Sequence, residues 1–424
     1  MSRYEELTRE ELCALKKEVD KEYEDYKKQK LNLNMARGTP CSEQLDLSMG
    51  LFNYTDDLIT ENGVDSRNYG LIFGLPEARK LFADLLDIEK DEVILGTNSS
   101  LSLIHDTISR VYNFGVSEGM TPWSKLEKVK VICPTPGYDR HFSICELFGI
   151  EMITVPLNED GPDMDIVEEM VKNDESIKGI ICVPKYSNPT GIVFSDDTVD
   201  RLASMKTAAD DFRIFWDNAY IVHHLTEKKP VLKNILTACK EYGHSDRVYI
   251  YSSTSKITFA GAGIAILGSS KRNIEYMSKL MSIQTINPNK INQLLHYRFF
   301  KSVDGILKHM EKHAEILHPK FKLVLDIFTD ELTGKGIASW SNPTGGYFIN
   351  LDVMNNCAKR VVELAGEAGV TLTPAGATYP YGNDPFDRNI RIAPSYPPLE
   401  ELKKAIEIVC VCINKASLEK LLKQ

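Results

Sequence analysis

The sequence lacks any long apolar run. No stretch of its 424 residues approaches the length of about 18 consecutive apolar residues that a membrane-spanning helix needs. The N-terminal segment is highly charged and contains no apolar core of the kind found in signal peptides. We therefore expect a cytoplasmic protein that has no membrane partner.

Clusters of basic residues are also missing. The chain has 50 lysines and arginines against 60 aspartates and glutamates, which gives a formal net charge of -10 and a pI near 5.5. Such an acidic balance argues against nucleic acid or an anionic lipid surface as the main partner.

Spacings typical of metal sites and disulfide frameworks are absent as well. The nine cysteines are scattered through apolar segments without a pair of CxxC motifs, and the nine histidines form no HExxH motif. We therefore expect no bound metal, and we expect the cysteines to be free thiols in a reducing compartment.

Strand-like runs alternate with helical patterns between about residues 90 and 270. The runs are residues 92–96, 129–133, 151–155, 178–184, 212–217, 247–251 and 262–267. This alternation predicts an α/β fold in which a mostly parallel sheet of seven strands is sandwiched by helices. The last run follows the preceding one too closely for a helical crossover, so we expect it to be antiparallel.

The chain is longer than one core usually supports, which predicts two domains. We expect a large domain over residues 51–300 and a smaller α+β domain over residues 301–424. Residues 1–50 form a predicted amphipathic helix and an arm that join the smaller domain. Thr8 and Glu11 are spaced as a capping box at the start of that helix.

A second long helical pattern covers residues 289–325. Proline has no backbone N–H group, and its ring clashes with the preceding turn of a helix. We therefore expect a break in this helix near Pro319.

Polar side chains follow several strands of the predicted sheet, at the edge where open α/β sheets bind ligands. Ser99 and Ser100 open a helix whose free N–H groups suit an anion such as phosphate, although an ordinary serine cap gives the same pattern. Tyr138 ends a rigid turn and can stack on a planar group. Asn188 begins an Asn-Pro-Thr-Gly turn, but the same four residues recur at 342–345, outside this strand order. Each of these signals is weak by itself.

Two charged residues come at the ends of buried strands. Asp217 ends the run 212–217, and Lys256 follows the run 247–251 without an acidic neighbour. A buried carboxylate is costly unless it meets a cation. A desolvated lysine amine has a lowered pKa and forms Schiff bases with aldehydes. A solvated turn would also account for Lys256 if that residue stood alone.

Taken in order, these motifs resemble those of the fold type I pyridoxal-phosphate enzymes, and among them the class I/II aminotransferases. The motifs are Asn188-Pro-Thr-Gly, Asp217-x-x-Tyr220, Ser253-x-Ser255-Lys256 and Asn389-x-Arg391. The resemblance covers roughly residues 35 to 400. It implies the cofactor pyridoxal 5'-phosphate and transfer of an amino group between an amino acid and a 2-oxo acid.

The resemblance also implies a role for each matching residue. Lys256 is expected to hold the cofactor and to act as general base and acid, while Asp217 keeps the pyridine nitrogen protonated. Tyr220 and Asn188 are expected to bond the ring oxygen. Tyr138 is expected to stack on the ring.

The remaining roles concern the phosphate and the substrate. The resemblance assigns the phosphate to Ser99, Ser100 and Ser253, and the substrate α-carboxylate to Arg391, with Asn188 nearby. It also implies a homodimer with shared active sites, in which Tyr69 reaches the phosphate of the neighbouring subunit.

Two departures from the family pattern change what we expect of the site. The family commonly has an arginine eight residues after the lysine, where this chain has Ile264. An arginine that reads the distal carboxylate of dicarboxylic substrates is also missing from residues 282–290. Arg37 and Gly38 lie where the N-terminal segment of the family crosses the substrate, and Arg37 can serve instead, although a surface arginine would look the same. Here the chain is similar to the bacterial subgroup called aspartate aminotransferase type Ic.

Three functions remain open on this basis. The first is an aminotransferase with aspartate or glutamate as one substrate. The second is a C–S β-lyase or decarboxylase on the same scaffold. The third, a regulator that binds the cofactor only to sense it, would need a DNA-binding module that the short N-terminal segment does not provide.

Overall fold

The computed structural model describes residues 3–423. Within this range the backbone forms thirteen strands in three sheets, together with thirteen α-helices. The strands are β1 (Leu33–Asn34), β2 (Val93–Leu95), β3 (Lys130–Thr135), β4 (Glu151–Asn158), β5 (Gly161–Pro162), β6 (Ile177–Cys182), β7 (Arg213–Asp217), β8 (Val248–Ser253), β9 (Ala265–Ser269), β10 (Ala338–Trp340), β11 (Ile349–Val353), β12 (Val370–Thr371) and β13 (Asn389–Ile392). The helices are α1 (Arg9–Lys27), α2 (Ser42–Asp46), α3 (Pro76–Leu86), α4 (Ser100–Phe114), α5 (Asp139–Leu147), α6 (Met164–Asn173), α7 (Asp196–Ser204), α8 (Ile235–Glu241), α9 (Lys271–Gln284), α10 (Lys290–Phe300), α11 (Val303–Leu332), α12 (Ala358–Glu367) and α13 (Leu399–Leu421).

The largest sheet has the strand order β2-β9-β8-β7-β6-β3-β4-β5. The α/β class and the mostly parallel sheet are therefore confirmed, but the count of seven strands is wrong because β5 adds an eighth. This strand has only two residues, pairs antiparallel to the end of β4, and is too short to leave a hydrophobic pattern in the sequence.

The directions of the strands bring the loops of interest to one edge of the sheet. Strands β3, β6, β7 and β8 are mutually parallel, and β9 is antiparallel to β8, as predicted. Because β2 is antiparallel to β9, it runs in the same direction as β8. The loops that follow β2, β3, β6, β7 and β8 therefore all leave the sheet at the same edge.

The N-terminal helix packs against the C-terminal part of the chain. Leu12 and Tyr23 of α1 belong to the same buried cluster as Ile406 and Val409 of α13. The predicted capping box is confirmed, since the Thr8 hydroxyl accepts from the Glu11 backbone and Glu11 accepts from the Thr8 N–H group. This packing agrees with an N-terminal segment that joins the smaller domain, while the domain boundaries themselves stay a prediction.

The expected break near Pro319 is wrong. Helix α11 continues through Pro319, and the chain breaks earlier, where Lys301 adopts a φ of 63° and the Ser302 hydroxyl caps the new helix. Pro319 and Glu315 both lie on the exposed side of α11. Water can therefore satisfy the Glu315 carbonyl group that the proline leaves without a donor.

Three further features concern the cysteines, membrane-spanning helices and metal-ligand clusters. All nine cysteines lie within residues 3–423 and are free, and eight of them are buried. None of the helices in this part of the chain is long and apolar enough to cross a membrane. The same residues contain no group of three or more His, Cys, Asp or Glu side chains arranged to hold a metal ion.

Candidate active site

The loops at the carboxyl edge of the main sheet surround one cavity of about 670 Å³. Its wall contains eleven of the twelve site residues that the sequence predicts. They are Arg37, Gly38, Ser99, Ser100, Tyr138, Asn188, Asp217, Tyr220, Ser253, Lys256 and Arg391. These residues are up to about 350 positions apart in sequence. They meet at one cavity because each of them follows a strand that ends at this edge or belongs to a segment that covers the edge.

Lys256 lies in the turn after β8, and its amine points into the cavity. The Nζ atom is 5.2 Å from the centre of the Tyr220 ring and 5.8 Å from that of Tyr347. Desolvation by the surrounding protein lowers the pKa of the amine; Asp217 raises it and Arg391 lowers it further. A lowered pKa favours the neutral, nucleophilic amine.

Among residues 3–423, Asp217, at the end of β7, uses only one of its two carboxylate oxygens. Its Oδ2 atom lies 3.0 Å from Nε2 of His141, and both side chains are buried. Its Oδ1 atom is buried without a hydrogen-bond partner among residues 3–423. A buried carboxylate oxygen of this kind is costly unless a donor or a cation meets it.

Aromatic rings form two walls beside this carboxylate. The Tyr138 ring contacts the His141 ring edge-on, with 4.9 Å between the ring centres. Tyr220 stacks on Tyr347 with 6.1 Å between centres. Burial raises the pKa of Tyr138 to about 12 and that of Tyr220 well above its ordinary value. Both hydroxyls therefore remain protonated at neutral pH and can donate hydrogen bonds.

Hydroxyl groups and a helix start form the opposite end of the cavity. Ser99 is the N-cap of α4, and its hydroxyl accepts from the Ser102 N–H group. Ser253 donates to the Ser255 hydroxyl at 3.1 Å, and Ser255 donates to the Asn98 carbonyl at 2.9 Å. This arrangement joins the loops after β2 and β8 and can hold an anion.

Ile264, which stands where the family commonly has an arginine, lies in the hydrophobic core. Its side chain is buried in the core, and its N–H group donates to the Thr254 hydroxyl at 2.9 Å. The preceding Gly263 lies so close to the anion end that an added Cβ would come within 2.6 Å of the Asn98 carbonyl oxygen. The chain here brings backbone, not a long basic side chain, against the hydroxyl groups.

Arg391 lies on β13, an edge strand of the three-stranded sheet β10-β11-β13, and is 7% exposed. Its Nη1 atom donates to Asp139 Oδ1 at 2.8 Å and to Asn188 Oδ1 at 3.4 Å, and its Nη2 atom donates to Thr373 at 3.4 Å. The face of the guanidinium covers the Phe348 ring at 4.9 Å. Packing thus fixes the plane of the guanidinium group.

Arg37 is exposed at the mouth of the cavity, and its guanidinium has no carboxylate partner in the part of the chain that the structure describes. The neighbouring Gly38 explains how the segment reaches this place. A Cβ atom at Gly38 would lie 2.4 Å from the Phe348 ring, so only glycine lets the backbone lie on that ring.

Tyr69 is the one predicted site residue that the structure places outside the cavity wall. It is 79% exposed. The loop that carries it is nevertheless held in place, because the buried Lys290 amine donates to the backbone carbonyls of Asn68 and Gly70.

The second Asn-Pro-Thr-Gly segment, residues 342–345, packs against the first. A Cβ atom at Gly191 would lie 2.5 Å from Pro343, and one at Gly345 would lie 2.2 Å from the Tyr186 ring. The repeated motif is therefore a packing partner of the Asn188 turn and does not line the cavity.

Among the polar residues that contact Asp217 or Arg391, the sequence reasoning missed His141, Asp139 and Thr373. Asp139 is the next residue after Tyr138, and His141 follows Tyr138 at a spacing of three, which places the two side chains on the same face of a helix. That spacing was an available signal, whereas nothing local marks Thr373.

Comparisons with known proteins agree with this geometry. The family model described as aspartate amino-transferase matches residues 7–424. The chain is 46% identical over 412 residues to a protein named aspartate aminotransferase from Corynebacterium glutamicum, covering 97% of this chain and 95% of that protein. A crystal structure of an aspartate transaminase from the same organism superposes with a TM-score of 0.96 at 45% identity, covering 99% of both chains.

A more distant structure shares the fold. The α-aminoadipate aminotransferase of Thermus thermophilus, complexed with N-(5'-phosphopyridoxyl)-L-leucine, has a TM-score of 0.72 at 20% identity and covers 92% of this chain and 93% of its own. The chain belongs to the aspartate aminotransferase family and is an aminotransferase. The predicted resemblance, fold class and enzyme class are thereby confirmed.

Proposed function

We propose that this aminotransferase uses pyridoxal 5'-phosphate to move an amino group between an L-amino acid and a 2-oxo acid, with aspartate or glutamate as one substrate. The observation that carries the proposal is the presence, in one cavity, of a Lys256 amine with a lowered pKa and an Asp217 oxygen without a partner. Relatives named aspartate aminotransferase support the choice of a dicarboxylic substrate.

The residues present fit this cofactor at both of its charged ends. The free Oδ1 atom of Asp217 suits a protonated pyridine nitrogen, because a cation there offsets the cost of burying the carboxylate. The hydroxyls of Ser99, Ser100, Ser253 and the start of α4 suit the phosphate. When bound, the cofactor supplies an electron sink for charge that develops on the substrate Cα atom.

The side chains then divide the remaining work among them. With the cofactor bound, Lys256 Nζ would take the proton from the substrate Cα atom and deliver it to the cofactor rather than back to Cα, for which a pKa below that of free lysine is suited. His141 holds the Asp217 carboxylate in one orientation through Oδ2. Tyr138, which stays protonated and contacts the His141 ring edge-on, offers a ring face on which the cofactor can stack.

Two arginines at the other side of the cavity account for recognition of the substrate. Arg391 offers a fixed, planar guanidinium for the α-carboxylate. Arg37 is exposed at the cavity mouth without a carboxylate partner in residues 3–423, and it is suited to a second carboxylate on the same substrate. A dicarboxylic amino acid would use both cations.

We further propose a homodimer in which Tyr69 contributes to the site of the neighbouring subunit. A tyrosine that is 79% exposed, on a loop fixed by Lys290, is suited to bind in a second chain. An added hydroxyl donor at the phosphate would also help to replace the arginine that Ile264 does not provide.

Substrate choice is tested by steady-state turnover of aspartate, glutamate and alanine with 2-oxo acid acceptors. We expect aspartate or glutamate to have the highest kcat/KM and Lys256→Ala to be inactive with every donor. Persistent turnover by Lys256→Ala would exclude the assigned base, and a preference for alanine would exclude the dicarboxylic substrate.

A further inference from the structure

Arg391, the only buried arginine of the cavity wall, already has a carboxylate partner within the protein. Asp139 Oδ1 lies 2.8 Å from Nη1, closer than either of the two neutral groups that Arg391 contacts. Asp139 is the first residue of α5 and directly follows Tyr138. The charge that would attract a substrate carboxylate is therefore neutralised in the protein alone.

The two partners differ in their freedom to move. The Arg391 side chain is 7% exposed and packed on Phe348, whereas the Asp139 side chain is 31% exposed and lines the cavity next to the exposed Arg140. If the pair separates, Asp139 can turn towards water while Arg391 stays in place. Water can then solvate the partly exposed Asp139 carboxylate, and the incoming carboxylate replaces it as the partner of the buried guanidinium.

A carboxylate that binds a guanidinium in a bidentate manner needs two adjacent N–H groups. Asp139 and Asn188 already accept from Nη1, so a bidentate carboxylate on Nη1 and Nη2 displaces one of them. A carboxylate on Nη2 and Nε, which has no partner among the described residues, would share the guanidinium with Asp139 and face like-charge repulsion in a partly buried site. Coexistence of both anions on Arg391 is therefore unfavourable.

We propose that Asp139 is a resident counter-ion of Arg391, which the α-carboxylate of the substrate must displace, and that Asp139 thereby sets the affinity for substrates. This inference rests on the proposed role of Arg391. It assigns to Asp139 no part in the chemical step. Its removal should strengthen substrate binding and leave the chemical step nearly unchanged.

The test is calorimetric binding of succinate, an unreactive dicarboxylate, to the holoenzyme and to its Asp139→Asn variant. Loss of one competing charge-assisted hydrogen bond should lower the Kd for succinate about tenfold. Asp139→Glu, which restores the charge, should return the Kd towards that of the wild type. Glu146→Gln, which removes a charge from an exposed position of the same helix, is the matched control and should change the Kd less than about twofold.

Kinetics and a crystal structure separate this role from a structural one. Asp139→Asn should lower KM for the amino donor while kcat changes less than about threefold. In the succinate complex of the wild type, Asp139 should no longer contact Arg391. The proposal is overturned if Asp139→Asn binds succinate as weakly as the wild type or more weakly, if neither binds it, or if Asp139 keeps its contact in the complex. Succinate binding needs no turnover, so a failure to transaminate would count against the proposed function alone.

Discussion

His141 Nε2 and Asp217 Oδ2 lie 3.0 Å apart, with both side chains almost fully buried. The contact joins the first helical turn after β3 to the last residue of β7. It fixes the carboxylate while leaving Oδ1 without a partner among the described residues. The same pair thus provides both rigidity and one free acceptor.

Replacing His141 by leucine should weaken retention of the cofactor about tenfold or more, because the buried Asp217 carboxylate would lose its only hydrogen bond among residues 3–423. The Kd for the cofactor can be measured by fluorescence during reconstitution of the cofactor-free protein. His318→Leu, at an exposed position of α11, serves as the control. An unchanged Kd in His141→Leu would show that the contact does not hold Asp217 in place.

The environment of Lys256 predicts opposite effects for its two charged neighbours. Arg391 lowers the pKa of the Lys256 amine, so Arg391→Gln should raise that pKa; Asp217 raises it, so Asp217→Asn should lower it. The measurement is the pH dependence of amine acylation at Lys256 in the cofactor-free protein, followed by mass spectrometry of peptides. Lys28, whose pKa is raised by exposed Asp25, is an internal reference that neither substitution should move. Shifts in the same direction for both variants would contradict the assigned causes.

Replacing Arg37 by alanine should raise KM for aspartate about tenfold and leave KM for alanine almost unchanged, since only aspartate has a second carboxylate. Steady-state kinetics with both donors provide the comparison. Arg140 also lines the cavity and is exposed, so Arg140→Ala is the matched control. An equal effect of Arg37→Ala on both donors, or a selective loss in Arg140→Ala instead, would remove Arg37 from substrate recognition.

A buried histidine on α10 predicts loss of stability in mild acid. His296 accepts from the Thr258 hydroxyl at 2.8 Å and donates to the Asn292 carbonyl, and burial lowers its pKa to about 4 from an ordinary value of 6.5. Between these two values the unfolded chain binds a proton that the folded protein does not. The contribution of neutral His296 to the free energy of unfolding is complete above pH 6.5 and is lost as the pH falls towards 4.

The corresponding experiment compares urea unfolding of the wild type and His296→Gln at pH 7 and pH 5. As the pH falls from 7 to 5, the free energy of unfolding should decrease more steeply for the wild type than for His296→Gln, by on the order of 1 kcal/mol per pH unit. Identical pH slopes in the two proteins would show that His296 does not titrate between the folded and unfolded states in this range.

Much of this architecture follows from patterns that are local in the sequence. Alternation of apolar runs and helices predicted the parallel sheet, and strand direction then placed Asn188, Asp217 and Lys256 at one edge. Each of these residues lies within a few positions of a strand end, so no long-range information was needed. The roles assigned to these residues remain predictions.

Other features depend on contacts between distant segments. The continuation of α11 through Pro319 depends on which side of the helix faces water. Glycine is required at position 38 because the backbone there lies against the Phe348 ring, more than 300 residues away in sequence. The pairing of Asp139 with Arg391 also joins segments that are distant in sequence. Such contacts leave no periodic pattern, so the sequence alone does not predict them.

The most direct test of the account is a single half-reaction with purified holoenzyme and aspartate, in the absence of any 2-oxo acid. We predict that the absorbance of the bound cofactor changes to that of the pyridoxamine form and that about one equivalent of oxaloacetate is released per site. Release of alanine and CO2 with an unchanged cofactor spectrum would contradict transamination and would indicate a decarboxylase.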